Sequence, residues 1–145
     1  MSATVAALLG KKNPHIFSVS PDASIFEAGR IMVDKGIGVV VVIAGKKVAG
    51  ILSERDIVRK TVIEEKCTKE CPVGEIMTRQ VVYVTPRETI ERCMEIMTEK
   101  RFRHLTVMED GELVGLISIG DLVKFVIDEK ETTIKQYQKY IYDEW

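Results

Sequence analysis

Apolar positions along this chain alternate between two rhythms, and the alternation runs twice in the same order. Ile16 to Val19 reads as a short extended piece, and Pro21 ends it in a turn because its ring fixes φ. Ile25, Ala28, Met32 and Val33 then recur at helical spacing, with Ser24 and Glu27 placed for a capping box. Gly36 and Gly38 break that helix. The β-branched run Val39-Val40-Val41-Val42-Ile43 predicts a buried strand, Gly45-Lys46 a hairpin turn, and Val48 to Leu52 the returning strand. A second helix is expected from Ser53.

The same order begins again at Val81 to Val84, with Pro86 as the stop. Ile90, Cys93, Met94 and Met97 mark the helix, Leu105-Thr106-Val107-Met108 the first strand, Asp110-Gly111 the turn, Leu113 to Ile117 the return, and Ser118 the second helix. Residues 15–60 moved by 65 positions lie on 80–125 without a gap. Identical pairs are Val19/Val84, Pro21/Pro86, Ile25/Ile90, Ile31/Ile96, Met32/Met97, Lys35/Lys100, Val42/Val107, Gly50/Gly115, Ser53/Ser118, Asp56/Asp121 and Val58/Val123. Unrelated stretches of such composition would share about three, so the chain contains a duplication. Val5-Ala6-Ala7-Leu8-Leu9 resembles Val73-Gly74-Glu75-Ile76-Met77, which gives each unit a short lead-in.

These patterns predict an α+β protein of two β-α-β-β-α repeats. Each repeat is too small to bury a secure core alone. Packed sheet to sheet, the two would share a core, create a pseudo-twofold axis and leave clefts suited to a ligand. The expected division is repeat one with its lead-in at 1–66, a linker at 67–72, repeat two at 73–130 and a helical tail at 131–145. In the tail, Ile134, Tyr137 or Gln138, and Ile141 have helical spacing, and Tyr140, Tyr142 and Trp145 add aromatic surface. That surface suits packing on its own domain or contact with a second copy.

Composition narrows the function classes. With 46% hydrophobic and 30% charged residues the chain reads as globular, and a net charge of −1 argues against nucleic acid as the main partner. No apolar run approaches the ~20 residues that span a bilayer, and Met1 to Gly10 lacks the basic leader of a signal peptide, so a cytoplasmic protein without membrane attachment is expected. Three cysteines, Cys67, Cys71 and Cys93, suggest free thiols. A zinc site calls for four ligands, and the only histidines are His15 and His104, so no metal is expected. Gly36-Ile37-Gly38 lacks the third glycine of a dinucleotide fingerprint, and Gly10-Lys11-Lys12 and Gly45-Lys46-Lys47 lack a Walker loop. No Ser/His/Asp set and no paired carboxylates suit catalysis, so an enzyme is not expected.

Each return strand meets its second helix in the pattern Gly-apolar-apolar-Ser-x-x-Asp: Gly50 to Asp56 in repeat one and Gly115 to Asp121 in repeat two. Ser-x-x-Asp at a helix start is a cap, with the acid also suiting the helix dipole. The same groups could receive a phosphate and accept hydrogen bonds from ribose hydroxyls. The two readings are compatible.

The duplicated unit, the Ile76-Met77-Thr78 lead-in and both junctions closely resemble the CBS domain family, from about Val5 to Lys130. In that family two repeats form a Bateman module whose clefts bind AMP, ADP, ATP, NAD(H) or S-adenosylmethionine. The resemblance implies that Asp56 and Asp121 hold ribose and that Ser53 and Ser118 lie near phosphate. It also implies adenine contacts from the backbone around Gly38-Val39-Val40 and His104-Leu105, with Thr78 in the lead-in nearby. Repeat two carries Arg101-Phe102-Arg103-His104 where repeat one has Gly36-Ile37-Gly38-Val39. Arg101, Arg103 and His104 suit phosphate, with Arg55 a further candidate and Gly120 in its place in repeat two. The expected ligand is AMP, then NAD(H) or ATP/ADP, then S-adenosylmethionine. The expected protein partners are a second copy of the chain and an unknown regulated protein. A protein-interaction module without a nucleotide is the alternative reading.

Overall fold

The structure, a computed structural model, describes residues 3–11 and 16–144, with residues 137 and 139–144 described by backbone alone. His15 and the tail aromatics Tyr137, Tyr140, Tyr142 and Trp145 therefore lie outside the described side chains. The elements run α1 (Val5–Lys11), β1 (Ser18–Val19), α2 (Ile25–Lys35), β2 (Val39–Ala44), β3 (Lys47–Ser53) and α3 (Glu54–Ile57). A π-helical turn (Val58–Ile63) and a 3₁₀ turn (Val73–Glu75) follow. Then come β4 (Tyr83–Val84), α4 (Ile90–Lys100), β5 (His104–Glu109), β6 (Glu112–Ser118) and α5 (Ile119–Glu144). The expected α+β alternation is present in both repeats, with the first strands shorter than read, at two residues each. The tail from Glu131 continues α5 as one helix.

Each repeat builds a three-stranded sheet, ordered β1-β2-β3 and β4-β5-β6. The first strand of each is parallel to the second, with Val19 opposite Val42 and Val84 opposite Val107. β2 and β3 run antiparallel, with an irregularity between Val42 and Ile43. Asp110 and Gly111 both take positive φ, 52° and 79°, as a tight hairpin turn demands. Val40 and Val42 point into a core with Ile25, Ala28, Met32, Leu52, Cys67, Val73, Ile76 and Met77. Cys67 and Val73 to Met77 follow repeat one in sequence, yet they complete its core.

The chain divides into two compact units that cut across sequence order. One is Pro14–Val82 with Gly111–Leu113; the other is Met1–Asn13, Tyr83–Asp110 and Val114–Trp145. Residues 67–72, read as a linker, thus belong to the unit of repeat one. The lead-ins are exchanged. In the first unit Val73 N–H donates to Ala23 O (2.7 Å) and Gly74 N–H to Pro21 O (2.9 Å). In the second, Val5 N–H donates to Glu88 O and Ala6 N–H to Pro86 O, both at 2.9 Å. The acceptors are equivalent positions of the two repeats, 65 residues apart.

Helix starts explain the exchange. The first amides of a helix have no acceptor within it. In α2, Ile25 N–H donates to Cys71 O and Phe26 N–H to Lys69 O, both at 2.9 Å, while Ser24 Oγ accepts from Glu27 N–H at 3.1 Å. In α4, Ile90 N–H donates to Ala3 O at 3.0 Å and Thr89 Oγ1 accepts from Arg92 N–H at 3.1 Å.

The cysteines correct one expectation. Cys67 and Cys71 are joined as a disulfide rather than left as free thiols. The loop that delivers Lys69 O and Cys71 O to α2 folds back far enough to bring their Cα atoms to 5.8 Å, inside the range a disulfide spans. Cys93 is the free cysteine; fully buried in α4, its thiol is pushed up to about 11 by burial, with Glu88 adding to the shift. No described helix is long and apolar enough to cross a membrane.

The repeated glycines mark where the lead-ins pass. A Cβ on Gly50 would stand 2.5 Å from Thr78 O and 2.9 Å from Met77 Sδ. One on Gly115 would stand 2.8 Å from Leu9 Cδ2. A Gly50→Ala substitution must displace the segment that completes the core, and overpacking of this kind costs about 1–3 kcal/mol. Gly10→Ala, in α1 with nothing within 4 Å of the new methyl, should hold or slightly raise stability. Urea denaturation measures both; a Gly50→Ala midpoint equal to wild type would sink the close-approach explanation.

Candidate functional site

The strand-to-helix junctions are built identically. Ser53 ends β3 with φ −105° and ψ 160°, extended backbone that lets its side chain turn back over α3. Its Oγ accepts from Asp56 N–H at 3.1 Å, and Asp56 Oδ2 accepts from Ser53 N–H at 3.1 Å. At the second junction Ser118 Oγ accepts from Asp121 N–H at 3.0 Å, and Asp121 Oδ2 accepts from Ser118 N–H at 2.8 Å. Both Ser-x-x-Asp motifs are therefore reciprocal caps. The cap engages one carboxylate oxygen of each Asp, and a carboxylate offers about four lone-pair sites. A cap and a hydroxyl-accepting role can coexist on one side chain.

The first central strand is tied to the same place. Val39 lies opposite Ser53 in the sheet, and Glu54 N–H donates to Gly38 O at 2.9 Å. The equivalent bond in repeat two runs from Ile119 N–H to Arg103 O at 2.8 Å. The structure thus gathers Gly38, Val39, Ser53, Arg55 and Asp56 at one junction, and Arg103, His104, Ser118 and Asp121 at the other. Ser53, Asp56, Gly38, His104, Ser118 and Asp121 are half-buried, while Arg55, Arg101 and Arg103 are exposed. Val39, Val40 and Leu105 turn buried side chains into the protein, which leaves their backbone as the part able to meet a ligand. Thr78, exposed, pairs with Ile51 on β3, donating its N–H to Ile51 O at 2.8 Å and accepting from Ile51 N–H at 3.0 Å.

The junctions differ in charge. In repeat one a Cβ on Gly38 would stand 3.1 Å from Glu54 Oε1, so an acid lies against the glycine. Glu54 is a functional position that spacing alone does not mark; its signal in the sequence is a charged residue at the helix start where repeat two has Ile119. Glu54 and Asp56 outnumber Arg55 there, whereas Arg103 balances Asp121 at the second junction. Arg101 also caps α4 in the left-handed conformation, φ 58°, matching Gly36 at φ 64°. A side chain at such a position costs about 1 kcal/mol more than glycine.

Comparison with known proteins agrees on the repeat. A family model for the CBS domain matches residues 9–62 and again 73–128. A mitochondrial CBS domain-containing protein of Arabidopsis thaliana, CBSX3, is 34% identical over 125 residues, 83% of this chain and 61% of that one, so the chain spans under two thirds of that relative. A solved CBS-domain protein of Burkholderia ambifaria MC40-6 is 46% identical with a TM-score of 0.83, covering 87% of this chain and 95% of that one. A CBS domain protein of Pyrobaculum aerophilum, solved in complex with AMP, is 28% identical with a TM-score of 0.73, covering 82% and 89%.

The caps can be tested directly. Ser53→Ala and Ser118→Ala should each lower unfolding free energy by roughly 0.5–2 kcal/mol, read from chemical denaturation. Unchanged stability in both would mean that the reciprocal bonds contribute nothing.

Proposed function

The chain belongs to the CBS-domain family, and from that premise we propose that it is a cytoplasmic regulatory module that binds an adenine nucleotide, AMP foremost, at its strand-to-helix junctions. NAD(H) and ATP/ADP come next as ligands, and S-adenosylmethionine after them. The observation that carries this reading is the second junction, where a half-buried Asp121 sits with Ser118, Arg103 and His104 around one helix start. Asp121 would accept from the ribose hydroxyls, Arg103 and Arg101 would meet the phosphate as forked donors, and His104 would add a donor. The AMP bound by the Pyrobaculum relative supports the same chemistry. Arg101 in a conformation that glycine takes more cheaply supports a role for its side chain. In repeat one, Glu54 against Gly38 disfavours phosphate, so the junctions would be unequal. The module would act by favouring one of two states that a partner protein reads.

Calorimetry of the full chain with AMP and with adenosine tests this. Wild type should bind AMP and gain thermal stability by mass action, about 2.7 kcal/mol at a hundredfold excess over Kd. Arg103→Ala, at an exposed position, should weaken AMP more than adenosine. No stabilisation at millimolar AMP would favour the second reading, a protein-interaction module in which the Ser and Asp side chains serve as caps only.

We also propose that the chain pairs with a second copy. Val58 and Val62 in repeat one and Val123 and Ile127 in repeat two occupy equivalent positions, and all four are large exposed hydrophobics, between 46% and 65% exposed. Ile119, four residues before Val123, and Ile134, seven after Ile127, extend the stripe on α5 at helical spacing. Native mass spectrometry should find a dimer, and Val123→Asp with Ile127→Asp should convert it to monomer; a wild-type monomer at micromolar concentration would refute the pairing.

A further inference from the structure

One cluster of donor side chains shares no residue with the junctions. Cys67, Cys71 and Glu75 follow one another at four-residue spacing, and their Sγ and carboxylate oxygen atoms all lie within 4.8 Å of one another. We propose that these three residues form a redox-gated site for a thiophilic divalent cation of the zinc class, with the fourth position open to water or another ligand.

The geometry carries the assignment. Glu75 Oε2 stands 3.5 Å from Cys67 Sγ. A tetrahedral zinc with ordinary Zn–S and Zn–O bonds sets its sulfur and oxygen ligands about 3.6 Å apart. A carboxylate placed beside a disulfide gains little from the sulfur; beside two thiolates and a cation it is a ligand. Thr68 N–H donates to Cys71 Sγ at 3.2 Å, the kind of bond that supports a thiolate on a metal. Cys67 is 6% exposed against the core and Glu75 is exposed, so the cluster has an apolar wall and a solvent-facing mouth.

The scaffold does not depend on the disulfide. Lys69 O and Cys71 O are held by the α2 amides, Cys71 N–H donates to Thr68 O at 3.0 Å, and Val73 and Gly74 are held by Ala23 and Pro21. The three ligands therefore stay converged when the S–S bond opens. Two thiolates with one carboxylate select zinc-like ions over magnesium or calcium, which prefer oxygen alone.

The chemistry balances in two steps. A dithiol reductant gives two electrons and two protons: the Cys67–Cys71 S–S bond breaks, two S–H bonds form, and the reductant leaves as a disulfide. The cation then displaces both thiol protons to solvent as two metal–sulfur bonds form. A disulfide oxidant reverses the sequence: it takes two electrons from the Cys67 and Cys71 thiolates and two protons from solvent, leaves as a dithiol, and the ion is released as the S–S bond re-forms. The site would report thiol status and metal supply at the loop that caps α2.

The full chain tests this with Co²⁺ as probe. After reduction and removal of the reductant under anaerobic conditions, one Co²⁺ per chain should bring up a thiolate-to-cobalt charge-transfer band in the near ultraviolet, and Zn²⁺ should bleach it. Oxidised protein should show no band. Cys71→Ser should lose it, and Glu75→Gln should weaken Co²⁺ by more than about tenfold, the lower end of what even outer-shell losses cost. Absence of the band in reduced wild type, or unchanged affinity in Glu75→Gln, overturns the site. A variant-free check covers any failure of Cys71→Ser to fold. Zn²⁺ must slow alkylation of Cys67 and Cys71 in reduced wild type, followed by peptide mass spectrometry, and equal rates with and without Zn²⁺ also overturn it.

Discussion

The first amides of α2 and α4 have no acceptors in their own helices, and the chain supplies them from residues far away in sequence. Cys71 O and Lys69 O serve α2, and Ala3 O serves α4. An unmet buried amide costs about 1–3 kcal/mol, so these bonds fix where the lead-ins lie. Once the lead-ins are placed, the sheet beneath must admit them, which is why Gly50 and Gly115 carry no side chain. The core of repeat one then closes over Cys67, Val73, Ile76 and Met77.

Local features of this fold were legible in the residues. The helical spacing of Ile25, Ala28 and Met32, the β-branched run of β2 and the turn at Asp110-Gly111 each encode their own conformation within a few positions. Ser24 was legible as a cap for the same reason. The exchange of lead-ins was not, because Val5 and Val73 stand at matching places in similar segments, and their hydrogen bonds are made to residues distant in sequence. The Cys67–Cys71 bond was hidden in the same way. Four-residue spacing suits several geometries, and the backbone bonds to α2 select the one that brings the sulfurs together.

At the junctions, the Ser-x-x-Asp pattern announced both a cap and a binding role. The cap is present at both. The binding role turns on what surrounds it, and there the repeats part: an acid against a glycine in one, the exposed Arg103 in the other. Glu54 escaped notice because its importance lies in its contact with Gly38, a relation across the sheet that no local spacing expresses. Both repeats keep the cap, which satisfies amides that a helix start leaves open, while the neighbouring charges differ.

The exchanged lead-ins also bear on how such a chain could have arisen. A gene cut at the sequence boundary of the repeats would yield two fragments, each carrying the segment that completes the other's core. A single ancestral repeat would have had either to fold its lead-in back on itself or to trade it with a sister molecule. Fusion of two copies turns that trade into an event within one chain, where each repeat receives the lead-in that its sequence neighbour carries.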